Sequence, residues 1–260
     1  MNKKFLELAK KSRVIVIKVG SNILVNEKHV LRKKWLNSLI EDVKELQKRG
    51  SKIIIVSSGA IALGRNILSK KKLTNLHEKQ AAASIGQIQL SQQWQKAFAK
   101  LNIQSSQILI TAEDLNERRK YLNIRNTIFS LVDLNVVPII NENDTTSTEE
   151  IRFGDNDKLS AMIANALSAE LLILLSDVNG LYTANPKKSS QAKLITSVEE
   201  VDQQIEKYID KDLSEFGSGG MLAKINAAKL CIQSGSTMII SNGLVNNPLS
   251  KIDPQSSTWF

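Results

Sequence analysis

The sequence holds one cysteine, two histidines and four prolines in 260 residues, and aromatic side chains make up only 5% of it. Each scarcity excludes something. Cys231 alone cannot close an internal disulfide, so the chain is no disulfide scaffold, and a lone thiol fits a reducing compartment. His29 and His77 stand in polar surroundings, with no Cys or His at metal-ligand spacing and no Ser-His-Asp arrangement, which argues against a zinc centre and a triad hydrolase. Long apolar runs are missing too. Val14 to Val19 is short and contains Lys18, and Leu171 to Leu175 falls far below the roughly 20 residues a bilayer needs. No targeting or membrane segment is read, so the chain is expected to be cytoplasmic, without a membrane partner. Neither Gly-x-x-x-x-Gly-Lys-Ser/Thr nor Gly-x-Gly-x-x-Gly occurs, which removes the P-loop and the usual dinucleotide fingerprint.

What is present is the composition of an ordinary globular protein, 42% hydrophobic and 23% charged, in a chain long enough for a sizeable core. The formal net charge is +9. Residues 1–13 carry Lys3, Lys4, Lys10, Lys11 and Arg13 against Glu7, and residues 65–79 carry Arg65, Lys70, Lys71, Lys72 and Lys79 against Glu78. Each segment is net +4, so the rest of the chain is nearly neutral. Both are expected to be solvated, poorly ordered surface. The charge raises a non-enzymatic nucleic-acid-binding protein as an alternative, but few aromatics and no recognition motif accompany it, so no nucleic-acid partner is expected.

Short β-branched runs alternate with helical patterns. Strands are expected at Val14–Ile17, Ile53–Val56, Gln107–Thr111, Val136–Ile140, Leu171–Leu175 and Thr237–Ile240, with helices at Leu31–Arg49, 78–100, Tyr121–Asn135, Leu159–Leu167 and Met221–Gln233. The alternation predicts an α/β fold, a mostly parallel sheet with helices on both faces, as one compact domain over 1–260.

In such sheets ligands bind beyond the carboxyl ends of the strands. Polar or glycine-rich turns stand there: Lys18-Val19-Gly20-Ser21, Ser57-Ser58-Gly59-Ala60, Asn141 to Thr146 leading to Gly154-Asp155-Asn156-Asp157, and Ser176-Asp177. A further glycine-rich segment, Gly217-Ser218-Gly219-Gly220-Met221, opens the helix that carries Lys224. Gly59 and Gly219-Gly220 suit close backbone approach to phosphate, though a simple tight turn reads equally well. Lys18 ends an apolar strand, where its charge needs an anion or must snorkel to the surface. Lys224 lies near a helix N-terminus, where a cation is disfavoured unless an anion binds there. Two such lysines would clamp a phosphoryl group. Asp144 is placed to bind an ammonium, Asn156 to donate to a substrate carboxylate, and Asp157 to hold both lysines. The alternative for these residues is turn and N-cap chemistry, which fits Asp155 before the 159–167 helix.

These segments, with Lys79-Gln80-Ala81-Ala82-Ala83 and Tyr182-Thr183-Ala184-Asn185-Pro186, run in one order over nearly the whole chain, and in that order the sequence resembles the glutamate 5-kinases of the amino acid kinase family. The resemblance implies ATP-dependent phosphorylation of the L-glutamate γ-carboxylate, the first step of proline biosynthesis, with Mg²⁺ carried on the nucleotide and no protein metal site. By matched position it implies Lys18, Lys224 and Asp157 as catalytic. It assigns Ser58, Gly59, Asp144, Asn156 and Asn141 to glutamate, and Gly20, Ser176, Asp177, Ser218, Gly219, Gly220 and Met221 to ATP alongside the two lysines. The N-terminal half would bind mainly glutamate, the C-terminal half mainly ATP. A homo-oligomer, dimer or tetramer, is implied as well. A sister kinase acting on N-acetylglutamate or aspartate is the nearest alternative. Ser176 and Ala223 stand where threonine is common in the family, and the chain ends at Phe260, where the additional C-terminal PUA domain of many members would be absent.

Overall fold

Six of the strands in the computed structural model are the six apolar runs of the sequence, and all six lie parallel in one sheet. The structure describes residues 1–70, 72–147, 155–186, 189–208 and 220–260. In chain order the elements are α1 (Lys3–Lys11), β1 (Val14–Val19), α2 (Ser21–Leu24), α3 (Lys33–Lys48), β2 (Lys52–Ser57), α4 (Ala60–Ile67), α5 (Leu76–Ala99) and β3 (Gln104–Ile110). There follow α6 (Arg118–Asp133), β4 (Val136–Glu142), α7 (Asp155–Ala166), β5 (Leu171–Ser176), β6 (Leu181–Tyr182), β7 (Leu194–Ile195), α8 (Gly220–Ser234), β8 (Thr237–Asn242) and β9 (Ser257–Trp259). The main sheet has the order β3-β4-β2-β1-β5-β8-β9, with β9 antiparallel to β8, and β6 pairs with β7 in a small antiparallel ribbon.

Burial explains which strands are plain in the sequence. β1 and β5 are central and buried on both faces, so they read as unbroken aliphatic runs. β3 is an edge strand, and its first half, Gln104-Ser105-Ser106, is polar, so the apolar signal begins only near Gln107. β9 has no apolar run at all. Besides its backbone ladder to β8, it is held by a side-chain hydroxyl, Thr258 Oγ1, which donates to the Ile195 carbonyl at 2.6 Å and accepts from the Leu181 N–H at 2.8 Å.

Side chains alternate across the sheet. Ile15, Ile17 and Val19 of β1 enter the core on one face, with Phe5 of α1, Leu39 of α3 and Trp94 of α5. Val14 and Val16 enter the other, against Leu159 and Ile163 of α7 and Ala228 of α8. Among the described residues no helix is long and apolar enough to cross a membrane.

Three expectations are corrected. The basic N-terminal segment is not poorly ordered: residues 3–11 form a helix capped by Asn2, whose side chain accepts from the Lys4 N–H at 2.9 Å, and Phe5 and Ala9 are buried beneath it. Lys3, Lys4, Lys10 and Lys11 remain exposed on its outer side. In the second basic segment, α5 already begins at Leu76, and Lys70 pairs with Glu78 at 2.7 Å. The helix expected from Leu159 starts four residues earlier, so Asp155 lies in its first turn rather than ahead of it. Acidic and amide residues are favoured there by the helix dipole, but they break the apolar pattern from which a helix start is read.

Candidate active site

The pleat of β1 decides where Lys18 points. It shares the face of Val14 and Val16, the side covered by α7 and α8, and it lies one residue from the carboxyl end of the strand. Lys18 is 7% exposed and Asp157, in the first turn of α7, is fully buried. The Lys18 ammonium forms an ion pair with Oδ1 of Asp157. Lys224, near the start of α8, donates to Asp157 Oδ2 at 3.0 Å and to the Gly220 carbonyl at 3.3 Å. Three elements distant in sequence thus bring two ammonium groups onto one carboxylate.

The arrangement carries one surplus positive charge where water is largely excluded. Burial pushes the Lys18 pKa below its ordinary value, and although Asp157 opposes this, the nearby Lys224 adds to it. Burial tends to raise Asp157, but the two ammonium groups outweigh it and hold the carboxyl below its usual range. An anion arriving between the lysines, beside the N-terminal ends of α7 and α8, would meet the surplus charge.

A second cluster lies alongside. Ser58 follows β2, and its N–H donates to the Val19 carbonyl at 3.0 Å, tying the ends of β2 and β1 together. Gly59 caps α4 with φ +117°, a conformation in which a side chain would be strained. Gly20 caps α2, and a Cβ there would stand 3.7 Å from the Lys18 ammonium. Asn156, in α7, donates to Ser58 Oγ at 2.8 Å and to Asn141 Oδ1 at 3.0 Å. Both hydrogens of its amide are therefore engaged, which corrects the expectation that Asn156 donates to a substrate carboxylate, and its buried Oδ1 has no partner among the described residues. Asn141, at the end of β4, donates in turn to Gln87 of α5 at 2.8 Å.

The other residues singled out in the sequence lie around these clusters. Asp144 is half-buried in the turn just after β4. Ser176 ends β5, buried, with its hydroxyl 3.4 Å from the exposed Asp177 carboxylate. Gly220 opens α8 beneath Lys224, while half-buried Met221 packs on the small apolar cluster of Leu181, Val198, Ile205 and Ile225. Gly154, Gly217, Ser218 and Gly219 lie outside the described residues. His77 is exposed and Cys231 is 1% exposed in the core, where burial pushes its thiol up to about 12. Among the described residues no group of three or more His, Cys, Asp or Glu side chains could hold a metal ion.

Gln87 and its neighbours Ser91 and Gln107 escape sequence reasoning. The signal was there in outline: along α5 the buried positions Ala83, Leu90 and Trp94 recur at helical spacing, and Gln87 breaks that stripe.

The profile of the amino acid kinase family matches residues 13–242. The glutamate 5-kinase of Pelagibacter ubique (strain HTCC1062) is 50% identical over 253 residues, which cover 96% of this chain and 69% of that protein. The glutamate 5-kinase of Brucella abortus (strain S19) is 48% identical over 249 residues, 95% of this chain and 66% of that one. The chain therefore spans about two thirds of the length of the curated relatives it matches. Among solved structures, the UMP kinase of Ureaplasma parvum aligns with a TM-score of 0.64 at 18% identity, over 95% of this chain and 97% of that one. The carbamate kinase of Giardia lamblia bound to AMP-PNP aligns with a TM-score of 0.64 at 16% identity, over 96% and 98%. These structures share the fold.

Proposed function

Because the chain belongs to the amino acid kinase family, we propose that it transfers the γ-phosphoryl group of ATP to the γ-carboxylate of L-glutamate, giving L-glutamyl 5-phosphate for proline biosynthesis. The observation that carries the reading is the Lys18–Asp157–Lys224 cluster at the carboxyl end of β1. The relatives at 46–50% identity that are named glutamate 5-kinases support the choice of acceptor.

The chemistry needs little beyond charge and position. A carboxylate is already a nucleophile at neutral pH, so no general base is required, which suits a site without histidine. A γ-carboxylate oxygen attacks the terminal phosphorus, the bond to the bridging oxygen breaks, and ADP leaves with its electron pair. Two anions must be brought together, and Lys18 and Lys224 stabilise the charge on the transferring group from opposite sides. Asp157 keeps both ammonium groups aimed. The backbone at Gly20 and Gly59 approaches phosphate oxygens, while Ser58, Asp144, Asn141 and Asn156 hold glutamate. Ser176, Asp177, Gly220 and Met221, with Ser218 and Gly219, hold ATP. Glutamate is thus bound mainly by residues up to Asn156 and the nucleotide mainly by residues from Ser176 onward. Mg²⁺ comes with the nucleotide, on its phosphates. The enzyme works in the cytoplasm, as a dimer or tetramer of this chain.

Hydroxylamine trapping tests the reaction. The chain should form γ-glutamyl hydroxamate only with ATP and L-glutamate together. Hydroxamate from N-acetylglutamate or aspartate, and none from glutamate, would reassign the acceptor to a sister kinase.

A further inference from the structure

We propose that Gln87 is a positioning residue for the acceptor amino acid: acting through Asn141, it holds the Asn156 amide so that its carbonyl oxygen is the group left for the substrate's ammonium. The inference rests on the proposed glutamate site and deepens it.

The polarity of the relay begins at the backbone. The N–H of Glu142 donates to Asn141 Oδ1 at 2.9 Å, and a backbone N–H cannot exchange roles. The Asn141 NH₂ must therefore face away, and it donates to Gln87 Oε1 at 2.8 Å. That leaves the Gln87 NH₂ to donate to Ser91 Oγ and Gln107 Oε1, each at 3.1 Å. On the other side, Asn141 Oδ1 also receives a hydrogen from Asn156, whose second hydrogen goes to Ser58. Every amide in the row is oriented by its neighbour, and the row ends on Asn156 Oδ1, buried with no partner among the described residues. A buried acceptor without a donor is costly, and a ligand that brings an N–H relieves it. An ammonium brings three such hydrogens and an ionised carboxylate none. This end of the site therefore selects a free amine.

Gln87 is well placed to hold the row still. The preceding residue, Gly86, lies so close to the Ala60 carbonyl that a Cβ there would overlap it, and Ala60 directly follows the Ser58-Gly59 turn. Asn141 is 3% exposed, so its NH₂ has no ready solvent substitute for Gln87.

The test compares two substitutions by steady-state kinetics. Gln87→Met keeps length and volume but removes the amide; Gln87→Glu keeps an acceptor for Asn141. Gln87→Met should raise the glutamate KM by about tenfold or more, with the ATP KM unchanged and kcat within about threefold, whereas Gln87→Glu stays within about threefold of wild type throughout. The KM for glutarate, which lacks the amino group, should not move in either variant. A packing role would reverse the order, with Met tolerated and Glu not, and would overturn the proposal. An equal rise for glutamate and glutarate would overturn the assignment of the Asn156 carbonyl to the ammonium. Gln87→Ala replaces the Met variant if that one does not fold. Calorimetric titration with glutamate separates this inference from the reaction. Glutamate binding without hydroxamate formation would sink the kinase reading while the variants' Kd values still test Gln87, and no binding at all would overturn both.

Discussion

Lys18 keeps its charge in a place that opposes it, and Asp157 is the reason. Because burial lowers the Lys18 pKa, the ammonium of the free enzyme should be lost below the ordinary lysine value of about 10.4. The kcat/KM for ATP, which reports free-enzyme ionisations, is expected to fall on an alkaline limb centred below that value. A profile flat through it would remove Lys18 from the reaction. Asp157 is expected to behave in the opposite sense. Its folded pKa is depressed, so its contribution to stability is fully present above the unfolded aspartate pKa of about 3.9 and disappears as the pH falls through the lower folded value. Asp157→Asn leaves the buried Lys18 and half-buried Lys224 ammonium groups facing a neutral amide. It should cost about 3–5 kcal/mol in denaturant unfolding at pH 7, with the gap to wild type closing in acid. Equal stability of variant and wild type at pH 7 would contradict the buried pairing.

Among the elements, α4 and α5 set the acceptor side of the site. They cross so closely that a Cβ on Gly64 would overlap the Ala82 carbonyl and one on Gly86 the Ala60 carbonyl. The contact fixes the start of α4, and with it Ser58 and Gly59, against the helix that carries Gln87. Trp94, two turns further along α5, donates to Ser57 Oγ at 2.9 Å and holds the end of β2 to the same helix. Gly86→Ala should force the helices apart, lowering stability by about 1–3 kcal/mol and raising the glutamate KM more than the ATP KM. Thermal unfolding together with both KM values checks this; a stable variant with an unchanged glutamate KM would detach the helix crossing from the site. The individual helices were largely legible in the sequence, since α3 follows from its apolar spacing and α5 from its run of alanines and glutamines. Their crossing was not, because a glycine within a helix looks the same whether or not a neighbouring backbone lies against it. The early start of α7 was hidden for a related reason. Asp155 and Asp157 suit a first turn but interrupt the periodicity that marks a helix, so Asp157 read as a loop residue when it is held rigidly within hydrogen-bond reach of both lysines.

At the scale of the whole molecule, the functional charge and the net charge are separate. The formal charge is +9, yet the exposed lysines of α1 face solvent while Lys18 and Lys224 converge in the interior. A ligand carrying several negative charges should therefore stabilise the fold through the interior pair. ATP at about a hundred times its Kd should add about 2.7 kcal/mol, a rise in Tm of about 5–10 °C for a chain of this size. Lys18→Ala should abolish most of that rise. A full shift in the variant would mean that ATP binds through the outer lysines instead.

The sequence by itself determined the class of fold, the order of the strands along the chain and the residue types gathered after them. Aliphatic runs such as Val14–Ile17 and Leu171–Leu175 bury the same way in any parallel sheet, and polar turns at strand ends follow locally from the chain. The sequence also named Asp157 as a partner for both lysines, but only the tertiary structure decided how those residues meet. The ion pair of Lys18 with Asp157 joins residues 139 apart in the chain, and the direction of each amide from Gln87 to Asn156 depends on the one beside it. Hydrogen-bond polarity and the sharing of one carboxylate are properties of neighbours in space, and no local pattern encodes them.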